Sequence, residues 1–293
     1  MSPAPVHSGI LGGSLIVNDY YRFSQLETIG PAQIETESTT RSFSTLDELL
    51  DHILATAEQT HIVVNHGSPT QGLLIRFSPN SPYNATGLVA QALANLVDAL
   101  VQGTLPPFDG RLLNVALQMG VSPPEALLLL EKFVRVRQRN PILHFRGCNL
   151  GGNTAMLYFY KLLFGAALIT APNCRMFYLR IRPRRPASGT SIAQLAVQAP
   201  STANTRRRLF QAPGVSSMGQ LLVDVRDIDG HTNVDSPLSV LDDPAQAQRW
   251  GELLTGRWTN TAPEFVLPVL WNDYETSFHC PLEVSYRQRL SMV

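Results

Sequence analysis

The side chains best suited to chemistry are an imidazole and a thiol, each closing an apolar run. His66 stands near the end of His61-Ile-Val-Val-Asn-His-Gly67, and Cys148 ends Ile142-Leu-His-Phe-Arg-Gly-Cys148. A thiol is mostly protonated at neutral pH. A neighbouring imidazole that takes its proton leaves a thiolate, which is a strong nucleophile. Gly67 allows a backbone N–H to approach a substrate carbonyl closely, and the N–H of Cys148 lies where a helix is predicted to start. These two donors are expected to form an oxyanion hole. The expected site is therefore His66 and Cys148 as a catalytic dyad, with backbone donors from Gly67 and Cys148. Such chemistry needs no metal and no organic cofactor.

The two residues are far apart in the chain, so strands must bring them together. Functional groups in an open parallel sheet collect at the C-terminal ends of strands. Residues 62–64 are a β-branched run, and residues 142–145 are a second apolar run; both read as strands. If these strands are parallel neighbours, their ends face the same way. Around them the pattern alternates. Residues 13–17 read as a strand and 34–43 as a loop or edge strand. Ser44-Thr-Leu-Asp-Glu48 opens a helix with a hydroxyl cap and early acidic residues. Residues 72–77 read as the second strand of a hairpin after the Asn65-His-Gly67 turn.

A helical insertion follows at about residues 85–140. It holds an Ala/Leu-rich helix over 90–101, a short helix over 111–119, and a third over 126–139. The signature Ser122-Pro-Pro-Glu125 launches the third, and Asn140-Pro141 stops it. The segment 146–153 is a turn, 154–164 an amphipathic helix and 166–170 a strand. Strands 220–225 and 265–270, a short helix from Asp242 toward Leu254, and an edge strand at 283–286 complete the reading. The helix after Cys148 is expected to support the thiolate through its dipole. The alternation of strand and helix predicts an α/β fold with a mostly parallel sheet.

The bulk properties fit an ordered globular chain of 293 residues, read as one domain over 1–293. Hydrophobic residues make up 44% and charged residues 16%, while Lys+Arg and Asp+Glu balance at 23 each. That balance predicts no global attraction to nucleic acid or membrane. A basic run, Arg180-Ile-Arg-Pro-Arg-Arg185, reads as a solvated loop, with an anionic partner as the minority reading. Residues 183–213, rich in Pro, Ser, Thr and Arg, read as a flexible loop. Three cysteines without a CxxC pair argue against a disulfide framework and a structural zinc site. No signal-like leader and no membrane-length apolar stretch is visible, which suggests a reducing cytoplasm.

An apolar strand ending in His-Gly, followed later by one ending in Gly-Cys, resembles the caspase-like clan of cysteine peptidases. That clan includes caspases, metacaspases, legumains, gingipains, separases and CHAT-type proteases. The resemblance covers residues 62–67 and 142–148 and their β-α-β surroundings, in the clan's order of His before Cys. It implies a caspase-like three-layer sandwich, with a mostly parallel central sheet, flanking helices and the helical insertion. It also implies His66 as the imidazole, Cys148 as the nucleophile and an oxyanion role for Gly67. The expected function is an endopeptidase that cleaves a protein or peptide through a thioester. A regulatory protein partner is possible by the same resemblance, and the loop 183–213 is where processing is sought.

Other readings stand beside this one. The turn Gly147-Cys-Asn-Leu-Gly-Gly-Asn153 suits a phosphate cradle, which would make the chain a nucleotide- or phosphate-binding module. An inactive caspase-like scaffold is a third reading. In a papain-like order Cys148 would instead pair with His231 or His279. His144 reads as a packed histidine, and Cys174 and Cys280 as structural. Asp227, Asp229 and Asp235 form an oxygen-rich turn without the full calcium-loop pattern.

Overall fold

The computed structural model describes residues 8–11, 39–81, 86–106, 109–184, 207–211, 220–226, 265–272, 277–279 and 284–293. Its strands are β1 (Ser8–Leu11), β2 (Thr39–Ser42), β3 (Thr60–Val64), β4 (Gly67–Ser68), β5 (Gly72–Leu73), β6 (Ile142–Arg146), β7 (Leu168–Pro172), β8 (Arg175–Arg184), β9 (Arg207–Gln211), β10 (Gln220–Arg226), β11 (Phe265–Asn272), β12 (Ser277–His279) and β13 (Leu290–Met292). Its helices are α1 (Leu46–Ala55), α2 (Ala90–Val101), α3 (Gly110–Met119), α4 (Pro123–Arg139), α5 (Thr154–Phe164) and the short α6 (Val284–Arg287).

The chain is a mixed α/β structure with a mostly parallel central sheet and flanking helices. The sheet runs β13-β7-β6-β3-β1-β2. Its first five strands in chain order pair in parallel, and β13 closes one edge antiparallel. Leu143 and Phe145 of β6, Val63 of β3 and Ile169 of β7 enter one large core with α1, α2, α4 and α5. On the other face Ile62 and Val64 pack with Cys174, Met176, Leu270 and Tyr286. The alternation along each strand is the ordinary consequence of the two-residue period. Here it sorts α1, α2, α4 and α5 to one side, and pieces of a second sheet with Tyr286 of α6 to the other.

That second sheet is antiparallel, in the order β12-β11-β8-β10-β9. It corrects the reading of residues 180–185 as a solvated loop, because β8 runs through Arg184 and pairs with β10 and β11. Leu179-Arg-Ile-Arg-Pro183 alternates apolar and basic residues, a strand pattern that the density of arginine obscured. The expected loop 183–213 is shortened at both ends for the same reason, since Pro183 and Arg184 belong to β8 and Arg207–Gln211 is β9. The expected edge strand at 283–286 is instead the turn of helix α6, which buries Tyr286 completely. The antiparallel edge follows it at β13. The expected hairpin strand 72–77 contracts to Gly72–Leu73. The strand expected at 13–17, the helix from Asp242, and residues 185–206 lie outside the described residues.

Helices α1 and α4 begin where their capping chemistry predicts, and α4 also ends there. Thr45 accepts the N–H of Glu48, and Ser122 and Glu125 complete a reciprocal box at the start of α4. Asn140 ends α4 in a left-handed conformation at φ 48°. Among the described residues no single helix is long and apolar enough to cross a membrane. Helices α3 and α4 together have the composition for it, but they bend by 96° and each buries a face in the core.

Candidate functional site

β3 and β6 are adjacent and parallel, with Val64 opposite Arg146. The pairing continues for one more hydrogen bond, from Asn65 N–H to the Arg146 carbonyl at 3.3 Å. His66 and Cys148 therefore stand at matching positions, each two residues beyond the last paired residue of its strand. Both are half-buried, so each is shielded yet reachable.

The backbone crossing between the strand ends is tight. A Cβ added at Gly147 would lie 2.8 Å from the Asn65 carbonyl oxygen and 3.2 Å from the Cα of Gly67. A Cβ at Gly67 would lie 3.2 Å from Gly147. The glycines on both sides thus let the His66 and Cys148 turns approach each other. Gly67 also pairs with Leu73 in the β4–β5 hairpin, where Leu74 donates its N–H to the His66 carbonyl at 3.0 Å. That bonding pattern turns the Gly67 N–H away from β5, which suits the expected donor role.

A buried polar network secures the hairpin that carries His66. The Leu73 N–H donates to the Tyr160 hydroxyl at 2.9 Å. Thr86 hydrogen-bonds the same hydroxyl and donates to the Leu73 carbonyl at 3.0 Å. Asn65 adds a side-chain N–H to the Leu74 carbonyl at 3.2 Å, and Asn153 one to the Pro69 carbonyl at 3.1 Å. Burial pushes the Tyr160 phenol up to about 12, against the lowering effect of its bonds with Thr86 and Leu73. Tyr160 comes from α5, and its ring meets Phe145 of β6 edge-on at 5.7 Å. Its part in the site is invisible in sequence because a tyrosine in an apolar helix reads only as core.

The support found for Cys148 differs from the support expected. Helix α5 starts at Thr154 with Asn153 as its cap, and a 3-10 turn at Leu150–Gly152 separates it from Cys148. Cys148 is therefore not a first-turn or capping residue of α5, the position at which a helix dipole acts on a neighbour in sequence. Asn149, at φ 54°, redirects the chain before that turn. Instead the Cys148 sulfur accepts the Met176 N–H at 3.3 Å and donates to the Met176 carbonyl at 3.4 Å. The N–H contact can persist in either protonation state. The carbonyl contact needs the proton, so ionisation requires the sulfur to leave that oxygen. Both contacts tie the Cys148 sulfur to the backbone of Met176 in β8.

Arg146 adds a charge that the sequence reading placed at the start of the turn over 146–153. It is 1% exposed, at the end of β6, and donates to the Phe145 carbonyl at 2.9 Å and the Thr170 hydroxyl at 3.1 Å. An arginine inside an apolar strand was the available signal, since such residues are rarely buried without a partner. His144 is packed as expected, with Nδ1 at 2.8 Å from the Thr170 hydroxyl. His279 is buried on β12, opposite Leu270. His231 and Asp227, Asp229 and Asp235 lie outside the described residues. Among the described residues no group of three or more His, Cys, Asp or Glu side chains is placed to hold a metal ion.

The glycine-rich turn is packed at Gly151. A Cβ at Gly151 would lie 2.2 Å from the Ala171 carbonyl oxygen. Its donors are also engaged: Asn149 N–H to the Cys174 carbonyl at 2.8 Å, Gly152 N–H to Asn149 at 2.9 Å, and Met156 N–H to the Asn153 side chain at 3.0 Å. The chain matches no family model, no curated protein and no solved structure.

Proposed function

We propose that this chain is a cysteine peptidase of caspase-like type, in which His66 activates Cys148 for attack on a peptide carbonyl. The observation that carries this reading is the register of β3 and β6, which ends both strands at the same edge of the sheet, with His66 and Cys148 each two residues beyond the last pair. In the proposed reaction the sulfur first swings away from the Met176 carbonyl. His66 takes its proton, and the thiolate adds to the carbonyl carbon. The developing oxyanion is met by the N–H groups of Gly67 and Cys148. His66 returns the proton to the leaving amine, and water then hydrolyses the thioester. The mostly parallel sheet and the position of the pair at its strand ends support this reading.

The phosphate-binding reading is supported less, because three N–H groups around its cradle already have acceptors within the fold. Labelling with an iodoacetamide-type probe tests the choice, together with turnover of a mixed peptide library. The expected result is labelling at Cys148 and complete loss of turnover in Cys148→Ala. Unchanged turnover in that variant, or preferential labelling of Cys174 or Cys280, would sink the peptidase reading.

A further inference from the structure

We infer that Cys174 is a resolving thiol for Cys148, so that the pair forms an oxidative modification site that closes as a disulfide. The inference rests on the reactive-thiol half of the function proposed above and not on peptide cleavage. Both cysteines are unbridged in this structure. They share one apolar cluster with Ile62, Val64, Met176, Leu270 and Tyr286. Three contacts bring their segments together. Asn149, the residue after Cys148, donates its N–H to the Cys174 carbonyl at 2.8 Å. The Cys148 sulfur itself meets the N–H and carbonyl of Met176, two residues after Cys174, at 3.3 and 3.4 Å. Cys174 sits in the bend just before β8, and its side chain packs in the same cluster as Met176 and Cys148. The turn of Cys148 therefore lies against the backbone of both Cys174 and Met176.

The two thiols also differ in the way such a pair requires. Cys148 is half-exposed, whereas Cys174 is only 6% exposed, and its sulfur donates to the Asn173 side-chain oxygen at 3.0 Å. A soluble oxidant meets Cys148 first. The oxidant class is a hydroperoxide. The Cys148 thiolate attacks the peroxide O–O bond. One oxygen remains on sulfur as a sulfenic acid, and the other leaves with the thiol proton as water or an alcohol. The Cys174 sulfur then attacks the sulfenic sulfur. The S–O bond breaks, the hydroxyl takes the Cys174 proton and leaves as water, and the S–S bond forms. Two thiols and one hydroperoxide thus become a disulfide, a water and an alcohol or second water. The bridge protects Cys148 from irreversible over-oxidation and blocks it as a nucleophile until a reductant opens it.

The test treats the full chain with hydrogen peroxide, caps remaining thiols with N-ethylmaleimide and maps tryptic peptides without reduction. Cys148 falls in residues 147–161, Cys174 in 162–175 and Cys280 in 258–287. The expected product is 147–161 linked to 162–175, with two hydrogens lost. Reductant should remove it and restore probe labelling of Cys148. In Cys174→Ser the link should be lost, and Cys148 should advance to the sulfinic acid under the same dose. Cys280→Ser should still form the link. The inference is overturned if wild type gives sulfinic Cys148 without the link as fast as Cys174→Ser does, or if Cys148 links to the Cys280 peptide. The wild-type map stands even if Cys174→Ser folds poorly. A chain that forms the link but cleaves no peptide keeps this inference and defeats the peptidase reading; cleavage without the link does the reverse.

Discussion

His66 and Cys148 occupy matching positions on neighbouring strands, yet different parts of the molecule secure them. The His66 turn is tied through Leu73 to Tyr160 and Thr86, and so to the helical layer. The Cys148 turn is tied through its own sulfur and through Asn149 to β8 of the second sheet. The imidazole side is thus fixed through its backbone by a buried network. The thiol side is held in part by a contact that must break for the thiol to ionise. A site built this way has one rigid half and one half with a resting position. Changes in the helical layer should reach His66, and changes in β8 should reach Cys148.

The largest effect tests whether the halves work together. His66→Ala should lower peptide turnover by about 10²–10⁴-fold, the range of a lost general base. Its Cys148 should still react with the alkylating probe at high pH, where hydroxide replaces the imidazole. If peptide turnover is unaffected, the two halves are not a dyad. Gly147→Ala attacks the point where they touch. Its Cβ meets the Asn65 carbonyl at 2.8 Å, so the strand ends must part. A loss of about 1–3 kcal/mol in urea unfolding is expected, together with slower turnover.

Tyr160→Phe separates the halves. It leaves the buried Leu73 N–H without its acceptor, at a cost of about 1–3 kcal/mol. Turnover that depends on His66 should fall, while high-pH labelling of Cys148 should stay as in wild type. Equal damage to both would contradict the division drawn here. The same residue predicts alkaline behaviour. Burial raises the Tyr160 phenol to about 12, so the folded state holds the proton more tightly than the unfolded chain does. The resulting stability is fully present below the unfolded tyrosine value of about 10 and is lost as pH rises through 12. Melting temperature should decline across that window, and less steeply in Tyr160→Phe. The smallest effect is a control at the far end of the insertion. Ser122→Ala removes the α4 cap and should cost about 1 kcal/mol in thermal unfolding, with Cys148 labelling unchanged.

Much of the scaffold could be read in advance because its signals are local. Helices over 90–101 and 154–164 followed from apolar periodicity, and Ser122-Pro-Pro-Glu125 marked the start of α4. The strand carrying Cys148 was legible from its apolar run, although Arg146 proved to belong to it. The basic density of 180–185 hid β8, and the residues around Tyr286 showed too little pattern to distinguish a helical turn from an edge strand. Of the site, the candidate pair and Gly67 were legible. Tyr160, Thr86 and Met176 were not, because their roles come from contacts between segments distant in sequence.

The sequence by itself determined the chemical types: an imidazole and a thiol at strand ends, with glycines where backbones approach. Periodicity and capping are properties of a few consecutive residues, so they also determined most helices. Only the tertiary structure decided that β3 and β6 are parallel neighbours in this register, which makes the pair a candidate site at all. It also decided that Met176 meets the Cys148 sulfur. The physical reason is range: a hydrogen bond across strands depends on where separate segments pack, and no local pattern encodes that position.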